Sequence, residues 1–117
     1  MIPDRFAAAW QAAWNSRELD RIMGHYGGDV VFRSAKARAT VGDGVVRGKT
    51  ALRAYWAAAL ARQPDLRFQV EEVFEGEDML VLLYTNHAGR RAAETLRFGP
   101  HGLVVEASAC HGNGAFT

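Results

Sequence analysis

The stretch AAETLRFGPHGLVVEASACHG (residues 92–112) decides how this chain folds. It contains two runs of apolar and β-branched residues joined by the turn residues 99–102, a pattern that predicts two antiparallel strands and a tight turn. With Phe98 placed opposite Leu103, Glu94 falls on the same face as Phe98, which is the face that should be buried. If a carboxylate lies on that face, then either the assumed orientation is wrong, or the carboxylate pairs with another group, or it takes part in chemistry.

Small side chains surround Glu94 in this register. The carboxylate lies opposite Ala107, and Ala92 and Ala109 are its next neighbours on the same face. Small residues leave space that tight packing would fill, and an isolated ionised carboxylate in a dry interior is costly. We therefore infer a cavity between the sheet and the helices, with Glu94 and Ala107 in its wall.

His111 is the second candidate on this face. It lies four residues beyond Ala107, which corresponds to about 13 Å of strand, so direct contact with Glu94 is not expected. A ligand between the two could receive a proton from Glu94 and give one to His111. Both residues have structural alternatives. Glu94 could pair with Arg90, Arg91 or a helix residue, or it could be exposed by a one-residue register slip. Histidines at strand ends are commonly solvated or hydrogen-bonded.

Three amphipathic helices are predicted in the first half of the chain. Apolar residues recur at helical spacing within residues 6–14, 19–26 and 52–60. Ser16 is placed to cap the start of the second helix, and the two glycines at 27–28 are placed to end it. Each helix therefore has one apolar face that must be covered by another element.

Strands are predicted after the second helix and throughout the second half. Residues 29–34 form a short β-branched run that favours a strand, whereas residues 35–47 predict a loop with one short strand at Val45-Val46. From Leu66 onward the period is close to two, which predicts four successive strands at 66–74, 79–87, 91–98 and 102–111. Helices followed by an antiparallel meander are typical of an α+β domain.

The composition limits the class of protein. A length of 117 residues fits one domain, here 1–112, followed by a short loose tail at 113–117. The net charge is +1 and the 14 basic residues are spread along the chain, so we expect no nucleic-acid partner. A single cysteine, and no leader or apolar run of roughly 18 residues, favour a cytoplasmic protein without a membrane partner. No metal-ligand spacing is present, so we expect neither a metal nor a cofactor.

Three segments carry a resemblance to a known family: AWNSRELDRIMGHYGGDVVFRS (13–34), VRGKTALRAYWAAAL (46–60) and ETLRFGPHGLVVEASACHG (94–112). In this order they resemble the nuclear transport factor 2-like superfamily, in its SnoaL-like branch. The resemblance implies a cone-shaped α+β fold in which three N-terminal helices pack on a curved, mainly antiparallel sheet and enclose a pocket. It also implies a homodimer formed through the outer face of the sheet.

The superfamily includes ketosteroid isomerase and polyketide cyclases beside non-catalytic binding modules, so fold alone selects no reaction. By resemblance, Glu94 stands where the isomerase has an aspartic acid that stays protonated and donates to an oxyanion. Tyr26 matches a tyrosine of the isomerase's hydrogen-bond network. However, Ser34 replaces the general base, and Trp10 and Trp56 replace tyrosines. Ketosteroid isomerisation is therefore not expected.

These observations predict one site, with the following residues. We expect Glu94 and His111 to be catalytic, and we expect ligand-binding roles for Trp10, Trp14, Tyr26, Phe32, Ser34, Trp56 and Ala107. Aromatic walls suit a small apolar molecule, although tryptophans at helical spacing are also typical of an ordinary core. The leading hypothesis is isomerase, cyclase or dehydratase chemistry with Glu94 as the proton or hydrogen-bond donor. A non-catalytic small-molecule-binding domain and a dimeric interaction module remain the alternatives.

Overall fold

The computed structural model describes residues 2–112 and shows four helices and a six-stranded curved sheet. The elements in chain order are α1 (Pro3–Ser16), α2 (Leu19–Met23), β1 (Tyr26–Ser34), α3 (Ala35–Val41), β2 (Val45–Arg47), α4 (Lys49–Arg62), β3 (Phe68–Gly76), β4 (Met79–Asn86), β5 (Arg91–Phe98) and β6 (Val104–His111). The predicted α+β class and the predicted strands are confirmed. The predicted tail at 113–117 lies outside the described residues.

The strands lie in the order β2-β1-β6-β5-β4-β3, and β1 runs parallel to β6 while all other neighbours are antiparallel. The first long strand therefore pairs with the last one. Helix α1 packs against β3, and α4 packs against β1 and β2. Because the two long helices contact opposite ends of the sheet, the middle strands face the space between them.

The boundary between the first two helices differs from the prediction. Ser16 is not the N-cap residue of the second helix; its hydroxyl donates to the Ala13 carbonyl at 2.6 Å and accepts from the Glu18 backbone N–H at 3.1 Å. Arg17 then ends α1 in the left-handed conformation, with φ of 62°, and Glu18 is the N-cap residue of α2. The guanidinium of Arg17 donates to the carbonyls of Leu60 and Gln63, which gives the C-terminus of α4 two hydrogen-bond donors.

The second helix is also shorter than predicted. It ends at Met23 with Gly24 as the C-cap residue, and the glycine pair at 27–28 lies inside β1. The backbone N–H of Val104 donates to the His25 carbonyl at 2.9 Å, so β6 pairs with the chain before the helical pattern would have ended. Pairing between distant segments thus overrides the local helical spacing, and Tyr26 becomes a strand residue.

A short helix, α3, occupies part of the segment predicted as a loop. Ser34 caps it, because the Ser34 hydroxyl accepts from the Lys36 backbone N–H at 3.1 Å. Gly42 ends it in the left-handed conformation, with φ of 85°, and donates to the Arg38 carbonyl. The short strand predicted at Val45-Val46 is present as β2. The consequence for the site is that Lys36 is held in the first turn of a helix.

The register between β5 and β6 also differs from the prediction. Phe98 pairs with Val104, and a bulge follows, so Glu94 pairs with Ala109 rather than with Ala107. Val104 is fully buried and Leu103 is exposed, which reverses the predicted orientation at the start of β6. The bulge restores the predicted faces farther along the strand, and Glu94 still points to the buried side.

The outer edge of β3 is satisfied by side chains of α1. The Asn15 amide donates to the Phe68 carbonyl at 2.9 Å and accepts from the Phe68 N–H at 2.8 Å. The Gln11 side-chain oxygen accepts from the Val70 N–H at 2.7 Å. Because β3 is an edge strand, these three bonds replace those that a further strand would make. They also fix the position of the Phe68 ring, which lines the candidate site.

Candidate functional site

A cavity of about 90 Å³ lies between the helices and the middle strands of the sheet. Its wall contains side chains from α1, α3, α4 and all long strands. The volume is enough for several water-sized molecules. Seven of the nine residues predicted for the site line this cavity: Trp10, Trp14, Phe32, Ser34, Trp56, Glu94 and His111.

Aromatic rings form most of the wall. Trp10 stacks on Phe68 with ring centroids 5.5 Å apart and an interplanar angle of 11°. Trp14 meets Trp56 edge to face at 4.9 Å. All three tryptophans of the chain therefore lie at the cavity. Phe68 and Tyr55 also line the wall, although neither was among the predicted site residues.

Glu94 lies at the centre of β5 with 4% of its surface exposed. The Tyr84 hydroxyl on β4 donates to Glu94 Oε1 at 3.1 Å. Burial raises the pKa of Glu94 to about 8, against the smaller lowering effect of the Tyr84 hydrogen bond. The carboxyl group is therefore mostly protonated near neutral pH. Ala92 and Ala109, which also line the cavity, leave open space beside it.

Tyr84 is a site residue that the sequence analysis missed. Its ring lies 4.7 Å from the Phe68 ring and 5.2 Å from the Trp10 ring, and it lines the cavity. Burial and then the charge of Glu94 raise the pKa of Tyr84 well above its usual value. The phenol consequently keeps its proton and remains a donor to Glu94. Tyr84 could be placed near Glu94 from the sequence only if the pairing register of strands β4 and β5 were already known.

Two predicted ligand-binding residues lie behind the wall rather than in it. Tyr26 is fully buried and accepts a hydrogen bond from Trp10 Nε1 at 3.2 Å. Burial, followed by the charge of Glu94, raises the pKa of Tyr26 far above its usual value. Ala107 is 2% exposed and pairs with Leu96, because the bulge moved Ala109 opposite Glu94. Tyr26 therefore supports Trp10 from behind, and Ala109 takes the place predicted for Ala107.

The indole N–H of Trp14 lies at the cavity and has no hydrogen-bond acceptor among the described residues. Its side chain is 6% exposed, and Trp14 Nε1 makes no hydrogen bond to any residue of the described range. The indole is near enough to Tyr26 to lower the pKa of that phenol, but it lies outside hydrogen-bonding geometry. A buried N–H without an acceptor is unfavourable, so an acceptor atom on a bound molecule would satisfy it.

His111 lies closer to Glu94 than the sequence predicted. It pairs with Ala92, two residues from the Glu94–Ala109 pair, which corresponds to about 7 Å of strand. Burial, and secondly the charge of Lys36, lowers the pKa of His111 to about 4. The imidazole is therefore neutral near neutral pH. It adds no positive charge to the cavity under those conditions.

Three basic residues that were not among the predicted site residues line the cavity. Lys36 lies in the first turn of α3, Arg90 directly precedes β5, and Arg91 is the first residue of β5. Burial, and secondly the charge of Arg90, lowers the pKa of Lys36. Arg91 Nε lies 3.9 Å from Glu71 Oε1 in an exposed pair. Because Lys36 is far from Arg90 and Arg91 in the sequence, the sequence alone does not show these three residues as a cluster.

Other kinds of site are not found among residues 2–112. No group of three histidine, cysteine, aspartate or glutamate side chains in this range could hold a metal ion. None of the helices in the same range combines the length and the apolar character needed to cross a bilayer. Cys110 is exposed on the face of the sheet opposite to Glu94, away from the cavity.

The sequence and the structure both match known proteins. A sequence model described as the SnoaL-like domain matches residues 7–111. A SnoaL-like protein of unknown function from Burkholderia thailandensis has 35% identity and a TM-score of 0.91, covering 94% of this chain and 93% of that one. No curated protein matches the sequence.

Two further solved structures share the fold. AclR, a proposed hydroxylase from Streptomyces galilaeus, has 25% identity and a TM-score of 0.73, covering 93% of this chain and 87% of that one. A proposed isomerase of the SnoaL-like family from Agrobacterium tumefaciens has 13% identity and a TM-score of 0.74, covering 92% of this chain and 94% of that one. At 13% identity the second likeness concerns the fold alone.

Proposed function

The chain belongs to the SnoaL-like domain family, and from this premise we propose that it binds a small apolar molecule in its cavity and acts on it with Glu94 as acid. The reaction would be of the isomerase, cyclase or dehydratase kind, in which a carbonyl oxygen gains negative charge. Related structures carry different proposed activities, so the residues of this cavity have to support the choice.

The buried, protonated carboxyl group of Glu94 carries this proposal. With a pKa of about 8, it is roughly nine-tenths protonated at pH 7, so it can donate to a ligand oxygen. Tyr84 occupies Oε1, which leaves Oε2 as the oxygen able to hold the proton. A neutral donor in a water-poor site stabilises a developing oxyanion more strongly than the same donor in water.

The aromatic wall supports an apolar ligand. Indole and phenyl rings on α1, α4 and β3 surround the cavity, and flat apolar molecules gain free energy when they leave water for such a surface. The free N–H of Trp14 offers one polar contact at this wall. A small aromatic carbonyl compound therefore matches the side chains present.

One observation favours a second candidate function, binding without chemistry. A general base works best when its pKa lies near the working pH, whereas the pKa of His111 is about 4. Ser34, which replaces a carboxylate base in the resemblance, is engaged as the cap of α3. If no base acts with Glu94, the carboxyl group serves as a hydrogen-bond donor to a ligand that leaves unchanged.

Acetophenone tests both possibilities, since it combines a phenyl ring, a carbonyl oxygen and exchangeable methyl protons. We expect it to quench tryptophan fluorescence, because all three tryptophans line the cavity. In deuterated water, we expect the protein to accelerate exchange of the methyl protons, followed by NMR. Glu94→Gln should reduce this acceleration about a hundredfold and leave the quenching midpoint within a factor of about three.

The control is Glu106→Gln, a carboxylate on β6 that pairs with Arg97 at 3.0 Å on the exposed surface. This variant should behave as the wild type in both measurements. Quenching without accelerated exchange would favour the binding function over the enzymatic one. Absence of quenching by acetophenone would contradict the aromatic pocket itself.

We further propose a cytoplasmic homodimer that associates through the outer face of the sheet. A single cysteine supports a reducing compartment. Light scattering coupled to size-exclusion chromatography measures the mass of the particle, which should be twice that of the chain. A monomer at all accessible concentrations would contradict the dimer without affecting the proposed cavity chemistry.

A further inference from the structure

Ser34, Ala109 and Glu94 lie side by side on three neighbouring strands. Ser34 on β1 pairs with Ala109 on β6, and Ala109 pairs with Glu94 on β5. All three residues line the cavity, and the middle one contributes only a methyl group. Two strand spacings, or about 10 Å, separate the backbone at Ser34 from that at Glu94. A small molecule over Ala109 therefore has the Glu94 carboxyl group at one end and the residues around Ser34 at the other.

Lys36 lies at the Ser34 end of this row. Its backbone N–H donates to the Ser34 hydroxyl at 3.1 Å, which holds the lysine in the first turn of α3, and Lys36 lines the cavity. The next residue, Ala37, is fully buried and belongs to the hydrophobic core. The lysine is thus presented to the cavity by a turn that is both capped and packed, which fixes its position relative to the sheet.

The surroundings of Lys36 favour the neutral amine. The residue is half buried, and no carboxylate in the described part of the chain, residues 2–112, forms a salt bridge with it. Burial, and secondly the charge of Arg90, lowers the pKa of Lys36. Desolvation and nearby positive charge are the two effects that activate a lysine as a nucleophile, because only the neutral amine has a free electron pair.

From this geometry we propose that Lys36 forms an imine with the carbonyl carbon of a small aromatic aldehyde or ketone, while Glu94 faces the carbonyl oxygen. This inference rests on the proposed binding of a carbonyl compound and adds a covalent step to it. The ring of the ligand lies against the aromatic wall, and the carbonyl group lies over Ala109, between the amine and the acid.

The proton balance of this step closes without a further reactant. The nitrogen electron pair attacks the carbonyl carbon, and the π electrons of the C=O bond move to the oxygen, which takes a proton from Glu94. The nitrogen then loses two protons, one of which restores the Glu94 acid while the other completes the departing water. Amine and carbonyl compound thereby give an imine and water, with no change of oxidation state.

Reductive trapping tests the imine directly. Benzaldehyde is the probe, and cyanoborohydride reduces any imine to a stable benzylamine that peptide mass mapping assigns to a residue. Near neutral pH we expect Lys36 of the wild type to be labelled about tenfold faster than Lys49. Lys49 is the internal control, because it is the other lysine of the chain, is also half buried and lies outside the cavity wall. Saturating acetophenone should slow the labelling of Lys36 alone.

Lys36→Arg keeps the positive charge and removes the primary amine. We expect this variant to lose the fast labelling, while the midpoint of fluorescence quenching by acetophenone stays within a factor of about three. Lys49→Arg is the matched control and should keep the fast labelling of Lys36. Thermal unfolding of both variants checks that they are folded.

The possible results separate this inference from the function on which it rests. Equal labelling of the two lysines, together with normal quenching by acetophenone, would overturn the imine and leave the aromatic pocket intact. Fast labelling of Lys36 that acetophenone does not slow would overturn an imine formed inside the cavity. Absence of both selective labelling and quenching would overturn the imine and the pocket together. Fast labelling of Lys36 that acetophenone slows and Lys49→Arg preserves supports the proposal.

Discussion

Glu94 shows how a single side chain can lower stability and still have a use. A buried carboxyl group loses its hydration, and here one hydrogen bond from Tyr84 replaces it. Burying the protonated form costs less free energy than burying the ionised form, since the neutral acid requires less solvation than the carboxylate. The residue therefore acts as a donor near neutral pH and becomes a charge that destabilises the protein at higher pH.

The pH dependence of stability tests the burial of Glu94. Its pKa is about 8 in the folded protein against an ordinary value of 4.5, so between these values the folded state holds a proton that the unfolded state has released. The free energy of unfolding should then fall as pH rises, by about 1–2 kcal/mol between pH 6.5 and 8. His111 makes a smaller, opposite contribution at the lower end of that window, because its ordinary pKa of 6.5 leaves it partly protonated when unfolded and its lowered pKa leaves it neutral in the folded state.

Urea denaturation across this pH range measures the effect. Glu94→Gln should show no such decline, because the amide does not titrate. Glu106→Gln should keep it, since the Glu106 carboxylate is exposed and paired with Arg97. Identical slopes for the wild type and Glu94→Gln would show that the carboxyl group at position 94 is solvated.

Glu94 could be identified from the sequence because alternation along a strand places it among apolar residues. Lys36 could not, because its position depends on a short helix inside a segment without apolar periodicity. The helix has local signals in the form of the Ser34 cap and the glycine at position 42. With only seven residues, however, these signals are too weak to outweigh a polar composition typical of loops.

At the scale of elements, α1 and β3 depend on each other. An edge strand exposes backbone groups that can pair with other chains, and the amides of Asn15 and Gln11 occupy those groups on β3. The same contacts align Phe68 with Trp10, so the edge strand and the aromatic wall are held by one set of bonds. Asn15 and Gln11, which are polar residues of an amphipathic helix, therefore hold β3 in place.

Asn15 should be important for stability despite its polar side chain. Asn15→Ala leaves the N–H and the carbonyl of Phe68 without their partners, and we expect the free energy of unfolding to fall by about 1–3 kcal/mol. Asn15→Asp keeps the acceptor and loses the donor, so it should give an intermediate loss. Denaturation in urea measures both. Gln69→Ala, on the exposed side of β3, is the control and should change little.

The elements that the sequence predicted well are those in which local pattern and tertiary contacts agree. Helix α4 and strands β4 and β5 keep one period from end to end. The predictions fail where distant pairing changes the local outcome, as at Tyr26, which β6 draws into a strand. Phe98 pairs one residue beyond the expected Leu103, and the bulge between Arg97 and Phe98 adds one more residue to the shift of β6; nothing in the composition of the turn specifies either change.

At the scale of the whole molecule, the cavity exists because large and small residues are segregated. Tryptophans on the helices hold the layers apart, while Ala92 and Ala109 on the sheet leave the space unfilled. A core optimised for stability would place a larger side chain at one of these alanines. The space is therefore a property of the fold as a whole, with no single residue responsible for it.

Filling the cavity should separate ligand binding from folding. Ala109→Leu adds three carbon atoms opposite Glu94, and we expect it to abolish quenching by acetophenone. The free energy of unfolding should stay the same or rise by up to about 1 kcal/mol, because the new side chain occupies empty space. Ala93→Leu, on the other face of β5, is the matched control and should keep quenching. Normal quenching in Ala109→Leu would place the ligand elsewhere.

The position of β6 between β1 and β5 has a consequence during synthesis. As the nascent chain leaves the ribosome, β1 emerges long before its parallel neighbour, and the sheet remains divided into two pieces until residue 111 is released. Parallel pairing over so long a loop is a slow step of folding. We expect the newly made protein to acquire protease resistance only after residue 111 has left the ribosome and β6 has paired with β1 and β5.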